Sequence, residues 1–333
     1  MQDRYGHRIS YLRVSITDRC NERCSYCMPQ ELQEWLPRGE ILTYEETLRL
    51  MRIAAELGVS KVRVTGGEPL TRRGIIDFVR QIPEIPGITS IGLSTNGTLL
   101  AREIVPCETM AKALADAGVQ SLNISLDTLD PAVYSRITGR DFHARVLAGI
   151  DAAIDTGFDQ IKINAVLMRG RNEDQLLPLI EFAAARNLLL RFIELMPVST
   201  IEVLNENNFM SVMEAKRLVE SAYGGLIPET EFRTNGPATY YQIPGRAQRI
   251  GFIGAMTNMH FCENCNKLRL TCDGKLRPCL GSYLEFDIMT PLRAGASDEQ
   301  LKQFLLSVVD RKPREHDFRH NYQPNRKMVA IGG

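Results

Sequence analysis

The feature that most restricts the fold of this chain is a rhythm. Between residues 8 and 196, short strand-like runs alternate with longer helix-like stretches. The strand runs are Tyr11–Thr17, Lys61–Thr65, Ser90–Thr95, Ser121–Asp127, Gln160–Met168 and Leu189–Met196. The helical stretches are Thr43–Leu57, Gly74–Gln81, Thr109–Ala117, Ala144–Thr156 and Glu173–Arg186. Gly58, Gly118 and Gly157 follow three of them as helix stops. Six βα units in series imply a parallel sheet with right-handed crossovers, either open and doubly wound or curled into a barrel.

Side-chain parity chooses between these. Leu12, Val14 and Ile16 alternate with Arg13 and Ser15; Val62 and Val64 with Arg63 and Thr65; Ile91 and Leu93 with Gly92 and Ser94. Leu122, Ile124 and Leu126 alternate with Asn123, Ser125 and Asp127, and Ile161 and Ile163 with Lys162 and Asn164. Successive residues of a strand face opposite sides. A sheet covered by helices on both faces should read as nearly continuous apolar runs. One face here is polar throughout, which fits an incomplete (βα)6 barrel with a polar lumen. The sixth run breaks the pattern, because Arg191 and Glu194 fall on opposite parities; a bulge or a misplaced strand would each account for it.

Arg13, Arg63 and Lys162 share the polar parity. Buried cations need compensation, so the lumen should hold a polyanion such as a triphosphate. Pairing with lumen carboxylates such as Asp127 or Glu194 is the alternative. The chain as a whole is balanced, with 40 Lys and Arg against 40 Asp and Glu. That argues against a generally basic nucleic-acid binder. The polar N-terminus lacks an apolar signal segment, and no run is long enough to span a bilayer. A cytoplasmic protein in a reducing compartment is expected.

Beyond residue 200 the rhythm changes. Residues 207–221 look helical, Tyr240–Ile253 resembles a hairpin, and a helix is expected near 298–310. The division expected is a barrel over residues 1–200 and a C-terminal region over 201–333. A tail from Arg311 is polar.

Eight cysteines in 333 residues are too dilute for a disulfide scaffold. Cys20, Cys24 and Cys27 form C-x3-C-x2-C directly after the first strand. Three thiolates on one loop suit a soft metal site with one open position, such as an iron–sulfur cube. Zinc completed from a distant segment is the alternative. Cys262, Cys265 and Cys279 give C-x2-C-x13-C, with Cys272 between; alone, that pattern reads first as a structural zinc knot. Cys107 fits neither group and is expected to be a lone structural cysteine.

The first loop, with Tyr26 before its last Cys, resembles the signature of the radical S-adenosylmethionine (SAM) superfamily. Thr65-Gly66-Gly67-Glu68-Pro69 resembles that superfamily's GGEP motif. The run Phe261-Cys262-x2-Cys265-Asn266-Lys267-Leu268-Arg269, then Gly274-Lys275-Leu276-Arg277-x-Cys279, closely resembles the MoaA family. These are radical SAM GTP 3′,8-cyclases, lyases of early molybdenum cofactor biosynthesis. The N-terminal run Tyr11-Leu12-Arg13-x-Ser15-x-Thr17-Asp18-Arg19-Cys20 and the final Ile331-Gly332-Gly333 extend the likeness over the chain.

The resemblance implies a radical SAM barrel with a C-terminal region carrying a second iron–sulfur cluster. It implies two [4Fe–4S] clusters, on Cys20, Cys24 and Cys27 and on Cys262, Cys265 and Cys279, the second meeting the guanine of GTP. SAM would be bound around Tyr26, Gly67, Ser125 and Met196. GTP would meet Arg13, Arg63, Ser94, Lys162, Lys267, Leu268 and Arg269, with Arg191 beside them. The implied partners are a flavodoxin-like or ferredoxin-like electron donor and a cyclic pyranopterin monophosphate synthase downstream. A homodimer is compatible; nucleic acid and membrane are not expected. The Gly-Gly tail would enter the site. Two departures stand out: Lys267 where the family usually has Arg, and Cys272, either an incidental thiol or a competing fourth ligand. The other expectations weighed are a radical SAM enzyme that modifies a peptide and a zinc-binding module without catalysis.

Overall fold

All six strand-like runs are strands in the computed structural model, which describes residues 1–28, 34–198, 204–320, 322 and 324–332. They are β1 (Tyr11–Ser15), β2 (Lys61–Thr65), β3 (Ser90–Thr95), β4 (Ser121–Ser125), β5 (Gln160–Leu167) and β6 (Leu189–Glu194). Each pairs in parallel with the next. The C-terminal region adds β7 (Ile227–Glu229), β8 (Thr239–Gln242), β9 (Arg249–Ile253), β10 (Lys267–Leu270), β11 (Lys275–Arg277) and β12 (Phe286–Asp287). The sheet runs β12-β11-β10-β1-β2-β3-β4-β5-β6-β9-β8-β7.

The barrel is therefore open, as expected. The C-terminal region extends the same sheet at both edges. β9 lies parallel on β6 and β10 parallel on β1, and antiparallel partners finish each side. The expected boundary between residues 200 and 201 lies outside the described residues, as do Asn321, Gln323 and Gly333 of the expected tail.

The helices are α1 (Tyr44–Glu56), α2 (Ile75–Arg80), α3 (Met110–Asp116), α4 (Pro131–Thr138), α5 (His143–Thr156), α6 (Leu176–Ala185), α7 (Val212–Tyr223), α8 (Met289–Arg293), α9 (Asp298–Asp310) and α10 (Met328–Ile331). Capping boxes start α1 (Thr43 with Glu46) and α9 (Ser297 with Gln300). The sequence pattern missed α4, although Asp130 caps it and Pro131 opens it. α7 starts later than expected. Ser211 caps it, and the Asn205 side chain accepts from the Asn207 and Asn208 amides, holding the preceding residues in a turn. The apolar parity of the strands packs with these helices into one continuous core, which leaves the polar parity to line the inside of the curve.

The irregular sixth run has a different cause from those anticipated. The β5–β6 register is unbroken from Lys162↔Leu189 to Leu167↔Glu194, so there is no bulge. Arg191 faces the lumen cations, whereas Glu194 turns toward α7 and is fully buried. Its carboxylate accepts from the amides of Val212 (2.9 Å), Met256 (2.8 Å) and Thr257 (3.1 Å) and from the Thr257 hydroxyl. One acid thus satisfies the start of α7 and the loop after β9. Glu194→Ala strands these buried donors and should lower stability by about 3 kcal/mol in anaerobic urea unfolding. Glu194→Gln, which keeps one acceptor oxygen, should lose less.

Candidate active site

The lumen cations stand side by side because the strand register puts them there. Arg13 on β1 is opposite Arg269 on one neighbour and Arg63 on the other. One rung away, Tyr11 lies between Lys267 and Lys61. Farther round, Ser94 partners Asn123, Asn123 partners Lys162, and Asn164 partners Arg191. Like charges in adjacent register repel, and here Arg63, Lys162 and Arg191 are buried as well, with Arg13 and Arg269 half-buried. Glycines make room for them. A Cβ on Gly92 would lie 2.4 Å from the Arg63 guanidinium, and one on Gly251 would lie 2.9 Å from Arg191 Cγ.

Neutral oxygens hold these groups. Arg63 donates to the Tyr11 hydroxyl (2.6 Å), the Leu93 carbonyl (3.0 Å) and the Ser121 hydroxyl (3.0 Å). Arg191 donates twice to Asn164 Oδ1, at 2.9 and 2.6 Å. Arg13 Nε is buried and meets no acceptor among the described residues. Among the described residues, no carboxylate stands against Arg13, Lys162, Arg191 or Arg269. Asp127 accepts instead from the Tyr26 hydroxyl and the Val166 amide, both at 2.8 Å. The expected alternative of internal pairing with Asp127 or Glu194 is therefore not what the fold builds. Burial, then Arg191 and Arg63, pull Lys162 down to about 6. Burial and then Arg13 pull Arg269 down to about 9.

These groups line a cavity of about 850 Å³. Every candidate residue named from the sequence borders it except Leu268. β10 alternates, so Lys267 and Arg269 face inward while Leu268 is buried in the core on the opposite face. Tyr11 and Lys61 border the cavity too, and sequence reasoning missed them. Each sits two residues before Arg13 or Arg63, on the same parity, so the alternation carried the signal.

The first thiol loop follows the C-terminal end of β1. The turn after β2 docks on it through backbone: the Gly67 amide donates to the Thr17 carbonyl (2.7 Å) and the Glu68 amide to the Arg19 carbonyl (2.8 Å). A Cβ on Gly67 would lie 2.3 Å from that Arg19 oxygen. What comes close to these glycines is the chain itself, a use that the motif alone did not reveal. Glu68 ties this turn to the next, accepting from the Thr95 hydroxyl and the Asn96 amide. Asn96 and Thr98 in turn hold Asn21 of the thiol loop. Burial raises the Cys20, Cys24 and Cys27 thiols, and nearby acids, Glu22 among them, raise them further.

The second thiol site lies at the other end of the same strands. Cys262 and Cys265 precede β10, which runs parallel to β1, and Cys279 follows the antiparallel β11. A five-residue strand spans roughly 16 Å, so the lumen separates the two sites by about that length. Cys272 is fully buried beside Ser15 and does not border the cavity that the second trio faces. Cys107 is exposed, with φ +65° in the turn between short strands Glu103–Val105 and Glu108–Thr109, so it is not buried structure. The C-terminal segment enters the cavity. Met328 and Val329 border it, and the Gly332 carbonyl accepts from Arg269 (3.0 Å).

Among the described residues, no three His, Cys, Asp or Glu side chains converge as ligands of a single ion would. An iron–sulfur cube binds each thiolate at a separate corner and needs no such convergence. Two thiol trios, both facing one cavity and neither joined by a fourth ligand among the described residues, fit two cubes with an open iron apiece.

Comparison with known proteins agrees. Residues 14–183 match the radical SAM superfamily, and residues 188–318 match the molybdenum cofactor synthesis C-terminal family. A partial βα barrel carrying the three-thiol loop defines the class, a radical SAM protein. GTP 3′,8-cyclases of Pelotomaculum thermopropionicum and Thermodesulfovibrio yellowstonii are each 42% identical over 100% of both chains. The chain belongs to the GTP 3′,8-cyclase family. Its fold also resembles SuiB of Streptococcus suis bound to S-adenosylmethionine (TM-score 0.61, 17% identity, 90% of this chain and 68% of that one). A second structure, anSMEcpe with bound AdoMet, gives a TM-score of 0.58 at 15% identity, over 92% of this chain and 82% of that one.

The lowered Lys162 yields a prediction with a definite sign. In the free protein Lys162 loses its proton as pH rises through about 6, whereas a bound polyanion favours the charged form. Triphosphate binding should therefore take up a proton above pH 6, and affinity should strengthen as pH falls from 8 toward 6. Calorimetry of GTP in buffers of different ionisation enthalpy measures the uptake. Lys162→Met should remove this component while the titration of GTP itself stays the same.

Proposed function

We propose that this chain is a radical SAM lyase that converts GTP to (8S)-3′,8-cyclo-7,8-dihydroguanosine 5′-triphosphate, an early step of molybdenum cofactor biosynthesis. One observation carries the reading beyond the family match. The lumen between the two thiol sites holds cations in adjacent register with no acid among the described residues paired to them, and a triphosphate supplies the missing charge.

Cys20, Cys24 and Cys27 would hold one [4Fe–4S] cluster, and Cys262, Cys265 and Cys279 the other. Tyr26, Gly67, Ser125 and Met196 would surround SAM. When bound, these groups supply a 5′-deoxyadenosyl radical able to take the hydrogen from C3′ of GTP, after which C3′ joins C8 of guanine. The work of the chain itself is to bind, orient and exclude water. Arg13, Arg63, Lys162 and Arg191 grip the phosphates, and Arg269 and Lys267 extend that wall toward the second site, where the guanine would lie. Lysine at 267 keeps a charge there but cannot form a two-pronged contact. Tyr11 is suited to its place because a phenol oxygen accepts from Arg63 without cancelling its charge, as a carboxylate would.

The same reading includes a flavodoxin-like or ferredoxin-like electron donor, transfer of product to a cyclic pyranopterin monophosphate synthase, and a homodimer. It places the chain in the cytoplasm, where thiols stay reduced. The peptide-modifying alternative has the likeness to SuiB in its favour, but at 17% identity that likeness concerns the fold alone.

Protein purified without oxygen should be brown and carry about eight irons; colourless, zinc-loaded protein would sink the reading. With SAM, GTP and a strong reductant it should form 5′-deoxyadenosine and the cyclised triphosphate. Cys20→Ala should abolish both products. Arg13→Ala should keep its iron and raise KM for GTP about tenfold or more, the loss of one charge-assisted contact of roughly 1.5–3 kcal/mol. Loss of iron from Arg13→Ala would contradict its phosphate role.

A further inference from the structure

Lys312, just after α9, is 4% exposed and was not singled out by any motif. Its ammonium donates to two neutral carbonyls, those of Lys267 (3.2 Å) and Pro278. These carbonyls belong to the two segments that carry the second thiol group. Lys267 lies two residues past Cys265, and Pro278 immediately precedes Cys279. The following stretch closes over the same site: the His316 amide bonds the Cys262 thiol, and the Asp317 amide donates to the Gly281 carbonyl (2.7 Å).

Two neutral carbonyls give a buried ammonium no counter-charge, and a further hydrogen bond takes it to the Cys265 side chain. The groups facing it are the thiols. The Lys312 charge also reaches Cys262 and Cys279, and Glu315 opposes it at Cys262. At the other end of the lumen the signs reverse, with Glu22, Glu68 and Asp127 set against the first thiol group. Charge beside an iron–sulfur cluster helps to set its reduction potential. Positive charge favours taking up an electron, and negative charge opposes it.

We propose that Lys312 is the built-in counter-charge of the second cluster, clamping the two segments that bind it and making it easier to reduce than the first. This rests on the assignment of two clusters made above. Lys312 is a positioning residue and need not touch GTP. The test is an EPR-monitored redox titration of the loaded protein, Lys312→Met and Lys312→Arg. A variant with Cys20, Cys24 and Cys27 all changed to Ala assigns the second cluster's signal, and iron content is measured first. Wild-type protein without about eight irons would fault the cluster assignment and leave the role of Lys312 aside.

With both clusters present, Lys312→Met should shift the second midpoint to more negative potential and leave the first in place. Lys312→Arg should stay near wild type. A second midpoint that does not move, or two midpoints that move together, overturns the proposal. If Lys312→Met fails to load the second site, the arginine variant decides. Loading with a wild-type midpoint supports the proposal, and failure of both variants overturns it in favour of a purely structural clamp.

Discussion

Cations in adjacent register, with no acid among the described residues paired to them, are the constraint around which this structure is arranged. Strand pairing sets Arg269, Arg13 and Arg63 abreast, and burial deepens their repulsion. The fold tolerates this because the other parity of the same strands is apolar and packs into one continuous core. Glycines at 92 and 251 clear space for the Arg63 guanidinium and the Arg191 stem, and Tyr11, Ser121 and Asn164 steady the two side chains through neutral oxygens. Acids near the lumen are committed elsewhere: Asp127 to Tyr26 and Val166, Glu194 to α7 and the loop after β9. The unmet charge is left for a ligand.

Along the strands the cavity has two chemically unlike ends. The first thiol loop is fastened by the turns after β2 and β3, with Glu68 as the tie, and it stands among acids. The second is fastened by a segment far along the chain and stands beside Lys312 and Lys267. Both trios are rich in sulfur and poor in other ligands, so the difference between them lies in the surroundings that the fold gives them.

Much of this is legible in the sequence because it is local. Period-two alternation by itself locates β1 to β5 and puts Arg13, Arg63 and Lys162 on one face. The same rule, carried to positions 11 and 61, would have added Tyr11 and Lys61. Leu268 shows the reverse: it entered as part of a motif run, and the alternation of β10 turns it into the core. What could not be read depends on distant pairing. Nothing near residue 194 shows that its carboxylate meets the start of α7. Nothing near Lys312 shows that it closes on Cys265 and Cys279. The strands at the two sheet edges are short, and their partners lie far away in the chain.

The strand β1 is made early, yet one of its two neighbours, β10, lies 256 positions later. During synthesis, the half-built barrel therefore exposes the free edge of β1 until residues 267–270 emerge from the ribosome. The far edge, β6, likewise waits for β9. Unpaired edges of this kind invite association with other chains. Both edges are covered only once nearly the whole chain exists, and the second trio of thiols is assembled by the same late pairing. Protection of the nascent chain and iron–sulfur loading are thereby tied to one event, the return of the C-terminal third to the strand that began the fold.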